Sequence, residues 1–441
     1  MKPPLLRPDP DKPEPKTRQP PLPKSLHKKQ EFRGLGTISA AVLLLALTIL
    51  AACYPIGVPP IPTPEPLVPT PLPASQATAT PRPAPSSPSP PTAGSVISPV
   101  PATPTPVRQA SRAGERARVG VGLPLGAIGD YDWGQSLPGW YLSWRVMASP
   151  PQPAGMRFAQ MVRIHADGFR PALDVITEAA RTNPGALWLI GNEPDVIWQD
   201  NATPDQYAAS YGVLYQAIKA ADPTAQVAIG GVSQPTPLRI AYLDRILAAY
   251  RAQYGREMPV DVWNVHAFIL REERDSWGVG IPPGMEVDRG QLYEISDHAD
   301  MAIFKRQIAD FRRWMAERGF RDKPLIVTEY GLLMPESYGF PPELVGQFMT
   351  DTFDYFLTTA DPDTGLPADA NRLVQAFCWY SVADTVYATS NLFDPETRAI
   401  TPVGEVFRDY VAGLRQGRFW DTLKVPFRVP LDEAGGEYPP P

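Results

Sequence analysis

Residues 187–221 read LWLIGNEPDVIWQDNATPDQYAASYGVLYQAIKAA: an apolar run of strand length, a short polar connection, and a pattern typical of a helix. The helix is expected over Pro204–Ala221, because Thr203 and Gln206 have capping-box spacing and proline occupies the first helical position. A strand followed by a helix is the repeating unit of α/β proteins with a parallel sheet, so this stretch predicts the fold class.

The same unit recurs along the chain. Eight apolar runs are typical of strands, and they lie at Val119–Pro124, Trp140–Trp144, Arg157–Ile164, Leu187–Gly191, Val227–Val232, Val262–Phe268, Leu325–Gly331 and Val374–Tyr380. Further helix patterns cover Pro171–Arg181, Arg239–Tyr254, Met301–Arg318, Pro342–Thr358 and Val403–Leu414. Eight strands in this alternation over about 310 residues predict a (β/α)8 TIM barrel. The first unit is the weakest, because no helix pattern lies between Pro124 and Trp140. A doubly wound open sheet is the alternative fold, but the absence of a glycine-rich phosphate loop after the first strand weakens it.

The residues before this body differ from it in proline content and charge. Residues 1–34 hold 9 prolines and residues 54–107 hold 19, half of the chain's 56. Residues 1–107 contain 10 of the 41 Lys and Arg residues and 5 of the 47 Asp and Glu residues. The rest of the chain therefore holds 31 basic and 42 acidic residues, a net charge of −11. An acidic body argues against a nucleic-acid partner, because phosphates are neutralised by clustered Lys and Arg.

Residues 35–52 (LGTISAAVLLLALTILAA) form an uncharged run of 18 residues. A helix of this length just crosses the ~30 Å apolar core of a membrane. The basic segment before it predicts a cytoplasmic N-terminus and export of the following chain. Two interpretations stay open: a permanent signal anchor, or a lipoprotein signal in which Leu50–Cys53 (LAAC) resembles the bacterial lipobox and Cys53 is lipidated. Both tether the body to the outer side of the cell membrane through residues 35–53.

The remaining segments follow from composition. Residues 1–34 are read as a basic, proline-rich cytoplasmic or leader segment, and residues 54–112 as a disordered Pro/Thr/Ser-rich linker with extended polyproline character. Residues 113–425 are expected to form the barrel, and residues 426–441 a flexible tail. The two cysteines, Cys53 and Cys378, indicate neither a disulfide framework nor a zinc site.

Two glutamates end apolar runs. Glu193 follows the fourth run and Glu329 ends the seventh. In a barrel, the C-terminal ends of the strands face the active site. A single glutamate in such a place is ordinarily a helix cap or a surface ion pair, but two of them, each costly to desolvate after an apolar run, favour a paired catalytic site.

The segments 188–195 (WLIGNEPD) and 325–331 (LIVTEYG) resemble the acid/base and nucleophile motifs of clan A glycoside hydrolases. The resemblance, with the strand pattern, extends over about residues 118–415. It implies that Glu193 is the general acid/base, Glu329 the nucleophile, and Asn192 a ligand of the sugar 2-hydroxyl. Such enzymes retain anomeric configuration, with carboxyl groups ~5–5.5 Å apart, and need no metal or cofactor. The four histidines of the chain give no ligand spacing that would suggest a metal.

Three further residues are expected to bind the sugar. Strand alternation puts His266 on the inner face with Val262 and Asn264, near Glu329, unless it is a core histidine. The family resemblance implies that Trp379, on strand eight, is a sugar platform beside the nucleophile, with core packing as the alternative. Trp144, at the end of strand two, is a weaker candidate of the same kind, because aromatic faces suit the C–H faces of sugars.

A long connection, residues 270–299, follows strand six. Loops of this length are usually functional, so it is expected to line a substrate cleft, with a disordered loop as the alternative. His298, with Asp297 and Asp300, is interpreted as a helix cap and not as a metal site.

The sequence therefore predicts a monomeric, membrane-tethered, extracellular retaining O-glycoside hydrolase with β-specificity, acting on a poly- or oligosaccharide. The alternative is a catalytically silent carbohydrate-binding protein of the cell surface on the same barrel, since the clan's usual strand-two arginine has no clear counterpart and Arg145 lies one residue from the expected face. A serine or metallo-hydrolase lacks support, because no G-x-S-x-G or H-E-x-x-H motif occurs.

Overall fold

The structure is a computed structural model that describes residues 114–414. The expected anchor or signal at 35–53 with Cys53, the linker at 54–112 and the tail at 426–441 lie outside the described residues. Within residues 114–414, no helix has both the length and the apolar character needed to cross a membrane.

Eight parallel strands form the predicted barrel. They are β1 (Val119–Gly122), β2 (Trp140–Leu142), β3 (Arg157–His165), β4 (Leu187–Asn192), β5 (Gln226–Gly231), β6 (Trp263–His266), β7 (Leu325–Tyr330) and β8 (Ala376–Trp379). Neighbours follow the order β5-β4-β3-β2-β1-β8-β7-β6, and the parallel bridges Ala228–Val262 and Val232–Val265 join β5 to β6. The ring is the (β/α)8 topology and excludes the open doubly wound sheet.

Six helices cover the outside of the ring. They are α1 (Leu173–Thr182), α2 (Pro204–Ala221), α3 (Pro237–Tyr254), α4 (Met301–Glu317), α5 (Pro342–Thr358) and α6 (Pro402–Gly413). The capping box at α2 is confirmed, since the Thr203 backbone donates to Gln206 Oε1 at 2.9 Å and the Gln206 backbone donates to Thr203 Oγ1 at 3.4 Å. The predicted helices are all present, with ends shifted by at most two residues.

The first two strands lack covering α-helices, as the sequence indicated. Only short 3-10 turns, Ile128–Asp130 and Pro153–Gly155, occupy these connections. An aromatic group covers the sheet instead: Tyr131 and Trp133 each place their rings 5.1 Å from the ring of Phe393. Packing of this irregular segment thus replaces the missing helix.

Side chains on the strands alternate between two cores. The interior of the ring is filled by Trp140, Leu142, Ala159, Met161, Leu187, Leu189, Ala228, Val262, Ile326, Ala376 and Cys378. The intervening residues face outward and pack under the helices. Space inside is tight: a Cβ on Gly120 would lie 2.4 Å from the Trp140 ring, so only glycine fits there. This alternation fixes which residues can reach the mouth, the end of the barrel where the strands terminate.

Candidate active site

Glu193 and Glu329 meet at the mouth of the barrel. Each has a relative exposure of 7%, so both carboxyl groups are largely removed from water. One oxygen of each lies within 4.8 Å of the other and of a ring nitrogen of His266. The structure therefore brings together the two glutamates that the sequence placed at the ends of the fourth and seventh strands.

The backbone at the end of β4 turns Glu193 into the mouth. Gly191 has φ 95° and Glu193 has φ 45°, both in the left-handed region, which a glutamate rarely adopts. The Glu193 N–H donates to the carbonyl oxygen of Gly231 on β5 at 3.0 Å, which holds this conformation. Strained backbone of this kind concentrates at functional sites.

An irregularity in pairing directs Glu329 into the same space. The register of β7 against β8 shifts between Val327 and Tyr330, and that of β6 against β7 shifts between Val265 and His266. Such shifts re-aim side chains that strict alternation would place elsewhere. Glu329, next to the inward Thr328, consequently reaches the mouth although neighbouring positions on a strand face opposite sides.

His266 stands between the two carboxyl groups. Its Nδ1 is 3.0 Å from Glu193 Oε1 and 3.4 Å from Glu329 Oε2. Gly231 makes room for the ring, since a Cβ there would lie 2.4 Å from His266 Cδ2. The sequence placed His266 on this inner face beside Glu329, and the structure adds the closer contact with Glu193.

Burial and charge set the protonation of this cluster. Burial raises the pKa of Glu329 to about 7, and the nearby charge of Glu193 adds to the effect, while His266 opposes it. Burial by itself lowers the pKa of His266, but the carboxylates of Glu329, Glu193 and Asp195 outweigh it and raise that pKa above its ordinary value. Glu329 and His266 therefore shift each other's pKa in opposite directions, as expected of ionisable groups this close.

Trp144 and Asn192 form the wall beside the carboxylates. The Trp144 indole N–H lies 3.1 Å from Asn192 Oδ1, and its nearness to the Glu329 carboxyl group acts to lower the pKa of that group. Asn192 is 2% exposed and Trp144 is half-buried, so part of the Trp144 ring is open at the mouth. Both residues thus lie where the sequence prediction needs them, and their binding roles stay predictions.

Trp379 does not face the mouth, which corrects its assignment as a sugar platform. It is fully buried on the outer side of β8, packs 5.4 Å from the Tyr330 ring, and donates from Nε1 to Ser390 O at 2.8 Å. The inner positions of this strand are Ala376 and Cys378. Its neighbour Tyr380 continues the inner face, because its ring lies 5.8 Å from that of Trp144.

Arg163 and Asp200 belong to the site and were not anticipated. Arg163 Nε donates to Asp200 Oδ1 at 2.5 Å, and its positive charge lowers the pKa of Glu329. Asp200 Oδ2 accepts the backbone N–H groups of Ile164 at 2.8 Å and Asn192 at 2.7 Å. The inward parity of β3 after Ala159 and Met161 was the available signal for Arg163. Arg145, the arginine considered from the sequence, is exposed.

A buried ion network secures the neighbouring loops. Arg239 is inaccessible to solvent and donates from Nε to Asp195 Oδ2 at 2.7 Å and from Nη1 to Glu272 Oε1 at 2.5 Å. Glu272 Oε2 also accepts the Gln291 backbone N–H at 2.7 Å. The long connection 270–299 is consequently folded against the barrel, which removes the disordered alternative and leaves its role as a cleft wall a prediction.

His298 has a different place from the one expected. Its Nε2 accepts the Leu333 N–H at 2.8 Å and its Nδ1 faces Ile269 O at 2.9 Å, so it joins the loops after β6 and β7. Asp300 alone of this group caps α4, since its side chain accepts from Ala302 and Ile303. The cap was therefore right for Asp300 and wrong for His298.

The three groups at the mouth are also those that could hold a cation. Within residues 114–414, Glu193, His266 and Glu329 are the one group of His, Cys, Asp and Glu side chains compact enough for a metal ion. They come from three separate strands, so no spacing in the sequence could indicate them. The contact of His266 with both carboxylates makes this equally a proton-sharing cluster, which is the chemistry that a pair of acid and base groups requires.

Comparison with known proteins gives structural similarities alone. No protein-family model matches the chain, and no curated protein matches it. Its fold is similar to a GH128 subgroup II endo-beta-1,3-glucanase from Sorangium cellulosum, with 16% identity over 68% of this chain and 100% of that one and a TM-score of 0.46. The corresponding enzyme from Pseudomonas viridiflava is 18% identical over 66% of this chain and 97% of that one, with a TM-score of 0.46. A GH128 subgroup III curdlan-specific exo-beta-1,3-glucanase from Blastomyces gilchristii is 17% identical over 67% of this chain and 98% of that one, with a TM-score of 0.45. The (β/α)8 assignment itself stands on the strand pairing within this chain.

Proposed function

We propose that residues 114–414 form the catalytic domain of a retaining O-glycoside hydrolase that cleaves β-linkages of a poly- or oligosaccharide by double displacement. One observation carries this proposal: two buried glutamates place carboxyl oxygens within 4.8 Å of each other at the mouth of a barrel. Retaining enzymes keep their carboxyl groups ~5–5.5 Å apart, whereas inversion needs ~6.5–9.5 Å to admit the attacking water.

The surroundings of Glu329 support its role as the nucleophile. The Trp144 N–H, the charge of His266 and the charge of Arg163 all stabilise its ionised form, although burial leaves its pKa raised overall. Each of these groups favours the carboxylate over the acid, and a nucleophile has to be ionised. Glu329 thus attacks the anomeric carbon and forms the glycosyl-enzyme.

Glu193 is left with the proton transfers. It lies closer to His266 Nδ1 than Glu329 does, 3.0 Å against 3.4 Å, so a proton can be shared along this contact. Glu193 protonates the leaving oxygen in the first step and takes a proton from water in the second. His266 lies beside both carboxyl groups, and its positive charge offsets the electrostatic repulsion between them.

The open wall of the mouth suits the sugar at the cleaved bond. Asn192 accepts the Trp144 indole N–H with its Oδ1, which orients the amide. One N–H of Nδ2 faces Gln199 Oε1 at 3.5 Å, and the other is left as a donor for the sugar 2-hydroxyl. The half-buried rings of Trp144 and Tyr380 offer apolar faces beside it. Apolar faces take the C–H side of a pyranose while its hydroxyl groups stay in water.

Location outside the cell is a second part of the proposal. It rests on the uncharged run 35–52, the basic segment before it and the proline-rich linker after it. Membrane fractionation with external protease tests this, because residues 114–414 should be digested in intact cells. Labelled palmitate separates the two kinds of tether. If Cys53 is lipidated, the wild-type chain takes up the label and a Cys53→Ser variant does not. If residues 35–53 are a permanent anchor, neither chain takes up the label and both remain membrane-bound.

The test of the activity is a substrate screen on the full-length chain in detergent. Chromogenic aryl β-glycosides and β-linked polysaccharides are scored by released aglycone and new reducing ends, beginning with β-1,3-glucans, on which the structurally similar enzymes act. Turnover that is lost in both Glu193→Gln and Glu329→Gln, and kept in the exposed control Glu343→Gln, supports the proposal. Binding without turnover of any substrate would favour the silent carbohydrate-binding protein.

A further inference from the structure

Trp198 is the exposed tryptophan of the described chain. Its relative exposure is 79%, whereas the other eight tryptophans within residues 114–414 are buried or half-buried. Tryptophan is a residue that folded proteins bury to a large extent, so this exposure is unusual. The ring makes no aromatic contact or hydrogen bond within residues 114–414.

The loop that carries Trp198 is fixed. The Val196 N–H donates to Glu193 O and the Gln199 N–H donates to Val196 O, each at 3.0 Å, so Trp198 lies within the second of two successive turns. Val196 is 4% exposed and packs with Phe268 of the loop after β6. A large apolar ring on a fixed support can bind a ligand with little loss of conformational entropy.

The position of the ring is next to the proposed active site. Gln199, the following residue, accepts from Arg163 Nη2 at 3.2 Å and lies 3.5 Å from Asn192 Nδ2 through the same oxygen. Trp198 itself is five residues beyond Glu193. The loop that carries the ring therefore adjoins the polar wall beside the catalytic pair.

Exposed aromatic side chains occur on one face of this barrel. The three of them, Trp198, Tyr338 and Tyr387, lie in the loops after β4, β7 and β8, all at the mouth. The exposed apolar residues of the helices, such as Val213 on α2, are aliphatic. The loops at the mouth also expose the aliphatic residues Ile197, Val287, Leu292 and Val386, so the mouth differs from the helices in its aromatic rings and not in apolar exposure alone. Exposed aromatic rings gathered at one end of the barrel indicate ligand binding there, because single scattered apolar residues need no explanation but a localised group does.

We propose that Trp198 is a carbohydrate platform of a distal subsite, on which a pyranose ring of an oligosaccharide stacks while another part of the same chain occupies the catalytic pair. The inference rests on the proposed function and deepens it by giving the substrate several sugar residues. Stacking of this kind takes the C–H face of the sugar on the indole and leaves the hydroxyls solvated. A single sugar bound at Glu193 and Glu329 gains nothing from Trp198.

The test compares substrates of different length with wild-type, Trp198→Ala and Trp198→Tyr, each in the full-length chain. Laminarihexaose is the first long probe, replaced by the hexasaccharide of whichever polymer the screen identifies, and an aryl monoglycoside is the short one. Trp198→Ala should lower kcat/KM for the hexasaccharide about tenfold and leave the monoglycoside unchanged. Trp198→Tyr should recover most of the loss, and Val213→Ala, a matched exposed apolar residue, should change neither.

Direct binding separates the two proposals. In the Glu329→Gln background, Trp198→Ala should weaken hexasaccharide binding, measured by calorimetry, by a similar factor. If wild-type turns over no substrate but this loss of affinity is found, the proposed function fails and the platform stands. Equal losses on long and short substrates, unchanged hexasaccharide kinetics, or a wild-type chain that binds no hexasaccharide would each overturn the platform.

Discussion

Asp200 fixes the position of Asn192: its Oδ2 accepts the Asn192 backbone N–H at 2.7 Å, directly before Glu193. The same carboxylate accepts from Ile164 on β3 and is paired with Arg163 through its other oxygen. The ends of β3 and β4 are thereby tied together by one side chain that is 1% exposed. The orientation of the proposed acid consequently depends on a residue that never contacts the sugar.

Replacement of this carboxylate should cost both stability and activity. We expect Asp200→Ala to lower the free energy of unfolding by about 3–5 kcal/mol, because Arg163 and two backbone donors lose their partner. Urea unfolding measures this, with the exposed Asp205→Ala as a control that should change stability little. An Asp200→Ala variant as stable as wild type would contradict the role of Asp200 in tying the ends of β3 and β4 together.

The pH dependence of kcat/KM should show an acid limb near pH 7. Glu329 must be ionised to attack, and burial raises its pKa to about 7 in the free protein. The profile of kcat/KM reports groups of the free enzyme, so activity should fall as the pH drops below this value. A limb at pH 4–5, with the fold intact over the same range, would mean that Glu329 ionises as an ordinary glutamate.

The same shift predicts a gain in stability on removing the charge. The pKa of Glu329 rises from 4.5 in the unfolded chain to about 7 in the fold, so the folded state binds the extra proton and loses stability as pH rises through this window. Glu329→Gln should therefore be more stable than wild type by about 3 kcal/mol at pH 8 and nearly equal to it at pH 4. Denaturant unfolding at both pH values checks this, and a variant that is less stable at pH 8 would contradict the buried-charge account.

Trp379 and Tyr380 should respond differently to truncation. Trp379→Ala removes a fully buried ring and should cost about 3–5 kcal/mol of stability with KM unchanged. Tyr380→Ala removes a ring at the mouth and should raise KM. Steady-state kinetics beside unfolding curves distinguish them. The reverse pattern would restore Trp379 as the sugar platform.

Chemical rescue should separate the two glutamates. Azide added to Glu329→Ala takes the place of the nucleophile and should give an α-glycosyl azide from a β-linked substrate with an activated leaving group. Azide added to Glu193→Ala attacks the glycosyl-enzyme and should give the β-azide. Product anomers are read by NMR, and the same azide anomer from both variants would contradict the assigned roles.

The barrel could be predicted from the sequence because the patterns that indicate its strands and helices are local. Each apolar run and each helix, such as Pro204–Ala221 with its capping box, is readable from a window of a few residues. The order of eight such units leaves few ways to bury the strands on both faces. The positions of Glu193 and Glu329 followed from strand ends, which a barrel gathers at one mouth.

What escaped prediction depends on parity and on distant contacts. Trp379 and Tyr380 differ by one position, and only the pairing of β8 decides which faces inward. Glu329 reaches the mouth through a register shift that the sequence does not reveal. The pairing of Arg163 with Asp200, and of Arg239 with Glu272, joins residues more than thirty positions apart, 37 and 33 respectively. No local pattern specifies such partners.

Proton NMR of the first product from a β-linked substrate tests the central claim most directly. The spectrum is recorded before mutarotation, with wild-type chain and the substrate that the screen identifies. Carboxyl oxygens within 4.8 Å of each other fit the ~5–5.5 Å separation of retaining enzymes and not the ~6.5–9.5 Å that admits an attacking water, so the β-anomer should appear first. An α-anomer formed first would mean that a water attacks directly, and the assignment of Glu329 as the nucleophile would be wrong.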